Sequence, residues 1–268
     1  MGEKVRHILA LSGGKDSSAL AIYMLNKNID MEYVFTDTGD ELPETYEYLE
    51  KLSSYLGKSI TWIKSERNFD YYLDMFNGVL PDPTTRWCTR LLKLVPYEEF
   101  IGSDNVISYV GIRADEPHRS GYISTKPNIK PVFPFIEDNI RRDDVIRILD
   151  EAGLGLPDYY KWRSRSGCYF CFYQQKREWV GLYENHPELF RKSADYEKSV
   201  AVDGVKYTWN KGEELYDLIK PKRRNQIKQN YQNRVKREKK KFKVNQKLAE
   251  AYSTKQEIDF KASLTIEL

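Results

Sequence analysis

The sequence predicts an α/β fold. A doubly wound parallel sheet is followed by a small cysteine-containing helical region and a basic tail. Three observations carry this expectation. A short apolar run, His7-Ile8-Leu9-Ala10-Leu11, leads through Ser12-Gly13-Gly14-Lys15-Asp16-Ser17-Ser18 into Ala19–Leu25, which is dense in helix formers. Strand-like and helical patterns then alternate as far as Gly111, as in a parallel sheet covered on both faces. Near Pro221 the composition turns abruptly basic. The expected division is 1–155 for the sheet domain, 156–220 for the helical region and 221–268 for the tail.

Taken in order, Met31–Gly39 reads as a second buried strand ending in a polar turn. A helix follows from about Pro43 to Leu56, with proline in its first turn. Ser59–Ile63 is a third strand, Phe69–Phe76 a Tyr/Phe-rich helix and Val106–Gly111 a fourth strand. Pro131–Phe135 reads as an apolar connector, and Arg142–Ala152 as a helix stopped by Gly153. Gln174–Tyr183 is helical with Trp179, Leu182 and Tyr183 on a buried face, and Asn185–Phe190 starts another helix. Ligands of such sheets collect at the carboxyl ends of the strands. The stretches 12–18, 37–39 and 112–116 all follow strands directly, so one crevice is expected to gather them.

Composition narrows the class. The chain of 268 residues has no apolar run long enough to cross a membrane, and its N-terminal stretch has no signal-peptide pattern. Three cysteines, Cys88, Cys168 and Cys171, are a sparse, odd set that predicts a reducing cytoplasm. Residues 221–247 hold twelve Lys/Arg against Glu238, a net +11; the whole is +3, so the remainder carries −8. Such a basic segment is the footprint of a nucleic-acid partner, or else a solvated tail.

The stretch 12–18 concentrates anion-binding chemistry. Two glycines let consecutive N–H groups converge, and the new helix adds its unpaired N–H groups and the positive end of its dipole. Lys15 supplies a charge, and Ser12, Ser17 and Ser18 supply hydroxyls. Asp16 fits an anion site when magnesium binds there too. The spacing is not that of the common P-loop, because Gly13 and Gly14 adjoin Lys15. It resembles the SGGxDS pyrophosphate loop of the N-type ATP pyrophosphatases.

Further motifs resemble the phosphoadenylyl-sulfate (PAPS) reductase family, whose fold is of the adenine nucleotide alpha-hydrolase, or HUP, type. Asp37-Thr38-Gly39 resembles its DTG turn, which implies a place beside adenosine: Gly39 for close approach, Asp37 for ribose or a metal. Cys88-Thr89-Arg90-Leu91-Leu92-Lys93-Leu94-Val95-Pro96 resembles its Cys-x-x-x-x-Lys-x-x-Pro segment, with Trp87 where many iron–sulfur members carry a second cysteine. Arg86, Arg90 and Lys93 are the cations there. Gly111–Arg119 resembles its GxRxxES–R segment, which implies Arg113 and Arg119 as anion binders and Glu116 as their orienter. Arg165–Cys171 matches its RxGCxxC segment.

The resemblance implies ATP and Mg2+ as ligands, with Lys15, Asp16 and Arg113 catalytic. Three cysteines leave three readings open: a [4Fe–4S] cluster with one open iron, as in transfer-RNA-thiolating sulfurtransferases; zinc completed by His186 or His118; or a Cys168–Cys171 redox pair with Cys88 a core thiol. No cysteine follows Cys171, whereas sulfonucleotide reductases carry a C-terminal one as nucleophile. The leading expectation is an enzyme that adenylates a nucleic acid and inserts sulfur. A sulfonucleotide reductase with an external thiol donor and a non-catalytic nucleotide-binding subunit are its rivals. Implied partners are a nucleic acid held by the 221–247 arm, a sulfur donor such as a cysteine desulfurase, and a second copy of the chain; no membrane is implied.

Overall fold

A computed structural model describes residues 5–119, 124–197, 206–238 and 240. Five parallel strands form one sheet in the order β3-β2-β1-β4-β5: β1 Arg6–Leu11, β2 Glu32–Asp37, β3 Ile60–Lys64, β4 Val106–Tyr109 and β5 Ile129–Val132. The helices that matter for the site are α1 Lys15–Asn26, α2 Pro43–Leu56, α3 Phe69–Met75, α4 Trp87–Thr89, α5 Val95–Ile101, α6 Pro134–Glu137, α7 Arg142–Glu151, α8 Lys176–Asn185 and α9 Pro187–Tyr196. The chain divides into two compact units at Tyr216/Asp217.

Alternating residues of the strands face opposite ways. Leu9, Leu11, Tyr33 and Phe35 pack with α1, α2 and α7 through Leu20, Leu49, Leu52, Val145 and Leu149. Ile8, Val34, Val106 and Ile129 pack on the other face against Tyr97 and Ile101 of α5. Both faces of the sheet are therefore buried, which is why its strands read as nearly continuous apolar runs. The doubly wound parallel sheet expected from the sequence is present.

Two stretches differ from expectation. The connector at 131–135 contributes β5, the edge strand, and Pro131 fits there because an edge strand leaves one row of N–H groups unpaired. Residues 87–101 form a nearly continuous helix in which Arg90–Leu94 widen to a π-turn between α4 and α5. That widening breaks the 3.6-residue period by which a helix is recognised.

A third core lies under the cysteine segments. Phe69 is fully buried, 5.0 Å from the ring of Trp87 and 4.1 Å from that of Phe170. Trp209 lies 5.8 Å from both Phe170 and Trp179. Trp87 precedes Cys88 and Phe170 lies between Cys168 and Cys171, so Phe69 binds the two remote cysteine segments into one packed body. Among the described residues no helix is long and apolar enough to cross a membrane.

Candidate functional site

The loop between β1 and α1 is shaped by its glycines. Gly13 has φ +66°, and a Cβ there would collide with Thr45 Cγ2. A Cβ on Gly14 would lie 2.5 Å from Ser166 Oγ. Both positions are closed to a side chain by neighbours from other segments. Gly14 caps α1 without a side-chain hydrogen bond, which leaves the first-turn N–H groups turned toward the loop.

The charged residues of this loop form one network. Lys15 Nζ lies 2.5 Å from Asp16 Oδ2, and Arg113 Nη1 lies 2.7 Å from Asp16 Oδ1. Arg113 Nε reaches Asp115 at 2.8 Å and its Nη1 lies 3.5 Å from Glu116. Glu116 in turn holds the exposed Arg119 at 3.1 Å. Gly111 makes the approach possible: a Cβ there would lie 3.1 Å from the Asp16 carbonyl. Lys15 and Arg113 side chains are only 11% and 10% exposed. Burial pulls the Lys15 ammonium below its ordinary value, opposed by Asp16. Burial also acts on Arg113, but Asp115 and Asp16 outweigh it and hold the guanidinium charged. Lys15 and Arg113 thus share the Asp16 carboxylate, and Asp115 and Glu116 are further counter-charges of Arg113, so two cations are positioned beside the glycine loop where a polyphosphate would meet them.

A second segment covers the loop. Tyr159 Oη donates to the Gly13 carbonyl at 2.8 Å, and the Lys15 N–H donates to Tyr160 Oη at 3.3 Å. Ser166 Oγ donates to Ser12 Oγ at 3.2 Å, and Ser12 Oγ lies 3.1 Å from Ser17 Oγ. Ser18 is buried in α1 below them. Arg163, only 1% exposed, donates from Nη2 to the Cys168 carbonyl at 2.7 Å, while its Nε and Nη1 have no hydrogen-bond partner among the described residues. Tyr159, Tyr160 and Ser166 carry no sequence signal for these roles, because pairings across some 150 positions leave no periodic pattern.

The turn after β2 is more engaged than expected. Asp37 accepts from the Gly39 N–H and Tyr46 Oη, both at 2.8 Å, and pairs with Lys64 at 2.7 Å. Burial would raise its carboxyl, but Lys64, Gly39 and Tyr46 together hold it below the usual range. Its stabilising contribution is therefore present above the unfolded carboxyl value of about 4 and is lost as pH falls through the depressed value. The expected result for Asp37→Asn is a lower unfolding midpoint at neutral pH and a flatter acid limb, read by thermal unfolding across pH.

Thr38 points elsewhere. Its Oγ1 lies 3.3 Å from Cys168 Sγ and 3.1 Å from Glu41 Oε1. It belongs to the wall of a cavity of about 140 Å3 lined also by Cys88, Leu92, Lys93, Ser166, Cys168 and Cys171. All three thiols are free and all three face this one space. Glu41, an acid that no sequence motif marks, is buried against residues of the wall, with Oε1 3.3 Å from Lys93 Nζ and 3.8 Å from Cys168 Sγ. Burial pushes the Cys88 thiol up to about 11. Burial, then Glu41, pushes Cys168 well above the ordinary thiol value.

The six residues expected to meet substrate fall in two places. Arg113, Glu116 and Arg119 gather at the glycine loop, whereas Lys93 lines the cysteine cavity, Arg86 lies over the ring of Tyr173 at its rim, and Arg90 is exposed on the π-turn and does not line the cavity. The histidine-completed zinc site is not assembled. His186 Nε2 pairs with Glu44 at 2.9 Å and His118 is exposed; neither lines the cavity. Among the described residues no group of three or more His, Cys, Asp or Glu is arranged to hold a metal ion. The thiols share a space without converging on a point.

Comparison with known proteins follows the same residues. An uncharacterized protein of Methanocaldococcus jannaschii is 31% identical over 209 residues, covering 72% of this chain and 48% of that protein. The tRNA-specific 2-thiouridylase MnmA of Ligilactobacillus salivarius is 26% identical over 186 residues, 56% of this chain and 49% of its own length. The crystal structure of PAPS reductase from Candida auris in its phosphate complex is similar with a TM-score of 0.49 at 14% identity, covering 63% of this chain and 83% of that one. The chain spans about half the length of the curated relatives described. The phosphoadenosine phosphosulfate reductase domain matches residues 6–171, a span that includes the glycine loop, Arg113 and all three cysteines. The chain belongs to the phosphoadenosine phosphosulfate reductase domain family.

Proposed function

We propose that this chain is an ATP-dependent adenylating enzyme that inserts sulfur into a nucleic acid. The observation that carries the reading is Ser166. Its hydroxyl donates to Ser12 of the glycine loop, and the same residue lines the cavity of Cys88, Cys168 and Cys171. A nucleotide loop and a three-thiol cavity thus share a wall. A tRNA-specific 2-thiouridylase among the relatives supports sulfur chemistry on a nucleic acid.

In this reading ATP lays its phosphates on 12–18, and Asp16 is the acid that would hold magnesium. An oxygen of the acceptor attacks the α-phosphorus in line, and pyrophosphate leaves. Lys15, Arg113 and the N–H groups opening α1 neutralise the charge that develops, so no strong base is required. The three thiols suit a polynuclear centre better than a single ion, because they border a space rather than a point. Cys88, Cys168 and Cys171 would hold a [4Fe–4S] cluster, which when bound supplies an open iron for the sulfur to be delivered. Sulfide-level sulfur would then displace AMP from the activated carbon, and a cysteine desulfurase-type protein together with a thiol reductant, which brings its persulfide sulfur to sulfide, would resupply it.

The acceptor is held, in this proposal, by the basic arm. Residues 221–238 are helical, with Lys222, Lys228, Arg234, Lys236 and Arg237 exposed and Ile227, Tyr231 and Val235 recurring every fourth residue on a less exposed stripe. Residue 239 and the arm from 241 onward lie outside the described residues. Replacing Lys222, Lys228, Lys236 and Arg237 together by glutamine should flatten the salt dependence of nucleic-acid binding by roughly 0.7 in log–log slope for each phosphate no longer neutralised. An unchanged slope removes the arm as the acceptor site. The function itself is tested by pyrophosphate release from ATP. Release that requires nucleic acid supports it, release with adenylyl sulfate alone favours the sulfonucleotide reading, and none with any acceptor leaves a nucleotide-binding subunit.

A further inference from the structure

The rim of the cysteine cavity carries an exposed aromatic ring beside two cations. Tyr173 lines the cavity yet is 38% exposed, with Phe172 beside it at 4.4 Å between ring centroids. Two guanidinium groups lie over the Tyr173 ring, Arg165 at 5.1 Å and Arg86 at 5.9 Å. Both arginines are exposed, and among the described residues neither pairs with a carboxylate. Each rim residue stands next to a thiol in the chain: Arg86 two before Cys88, Arg165 three before Cys168, Tyr173 two after Cys171. Arg86 also holds φ +43°, a left-handed conformation that a non-glycine residue adopts at a cost. Backbone strain of this kind gathers at ligand clamps.

We infer that Tyr173, Arg86 and Arg165 form the seat for one unpaired nucleotide of a nucleic-acid strand, its base stacked on Tyr173 and its flanking phosphates held by the two arginines. The inference rests on the nucleic-acid reading above and names the form of acceptor it takes. An exposed aromatic ring with adjacent unpaired cations is the composition that binds unstacked bases, because every base has a π-face and every linkage a charge. An exposed cation–π contact is weaker than a base–aromatic stack, so an arriving base displaces a guanidinium from the ring and frees it for phosphate. A paired base keeps its faces inside the helix and cannot use this ring. The seat thereby selects single strands, loops or flipped nucleotides, and brings the base to the mouth of the thiol cavity.

The test is fluorescence anisotropy of the full chain with a short fluorescein-labelled oligouridylate and, separately, a duplex of mixed sequence. Tyr173→Ala should weaken single-strand binding roughly tenfold and leave duplex binding unchanged, while Tyr173→Trp retains or tightens it. Arg86→Ala with Arg165→Ala should lower the log–log salt slope by about 0.7 for each phosphate that loses its cation. Tyr173 is at the surface, so thermal unfolding should confirm that these variants stay folded. Wild-type affinity and slope in all variants would overturn the inference. Equal weakening on strand and duplex, or full competition by uridine monophosphate at the strand's own affinity, would overturn it too. The two proposals fail separately. Nucleic-acid-dependent pyrophosphate release that is indifferent to Tyr173→Ala removes the seat alone. A Tyr173-dependent strand affinity in a chain that never releases pyrophosphate removes the enzyme alone.

Discussion

Asp16→Ala is expected to abolish the proposed pyrophosphate release, with turnover falling by at least about a hundredfold. Asp16 is the carboxylate shared by Lys15 at 2.5 Å and Arg113 at 2.7 Å. Its removal leaves two poorly exposed cations facing the phosphate site without their common counter-charge. ATP binding therefore persists or tightens, while the in-line step loses the acid that would place magnesium. The diagnostic pattern is a fall in kcat with KM unchanged or lower, measured by a coupled pyrophosphate assay alongside nucleotide binding. Equal loss of binding and turnover would assign Asp16 a structural part. Unchanged turnover would remove the glycine loop from the chemistry.

On the proposed function, Cys88→Ala is expected to strip the chain of iron and acid-labile sulfide. Cys88 stands on α4, about eighty residues before the Cys168–Cys171 turn, and lines the same cavity, with Phe69 packed on both Trp87 and Phe170. In the proposed cluster, which has three thiolates and lacks a fourth, the loss of one leaves too few ligands for it to be retained. Anaerobically purified wild type should carry about four irons and four sulfides per chain, and Cys88→Ala well under one. Circular dichroism should show both folded, since the substitution deletes one sulfur beside an aromatic core that stays intact. Roughly one zinc without sulfide in the wild type would make the thiols a structural clamp and move the function toward adenylation alone.

The parts of this protein that are legible in the sequence are those whose cause is local. The glycine loop announces itself because Gly, Lys, Asp and Ser crowd one strand-to-helix junction, and the structure puts that junction between β1 and α1. The strands β1, β2 and β4 are visible as apolar runs because both faces of the sheet are covered there, whereas β3 at the edge keeps only Ile60 buried. Trp179 is readable as core from helical spacing and is fully buried. What stays hidden has a non-local cause. β5 is masked by Pro131, acceptable only because its strand is at the edge. The helix at 87–101 is masked by its π-turn. Tyr159, Tyr160 and Ser166 gain their roles only by folding back on residues 12–15. Glu41 looks like an ordinary acid before a helix, and its burial against Lys93 and Cys168 depends on segments far along the chain. Histidine as a fourth metal ligand is reasonable from residue count, and Glu44 takes His186 instead.

The most direct measurement of the central claim is mass spectrometry of nucleosides recovered after incubating anaerobically prepared protein with ATP, magnesium, sulfide and a mixture of transfer RNA and DNA. The account predicts a thionucleoside that appears only with ATP and is missing with Asp16→Ala and with Cys88→Ala. Pyrophosphate release without any thionucleoside, accompanied by reduction of adenylyl sulfate when a thiol donor is supplied, would contradict it.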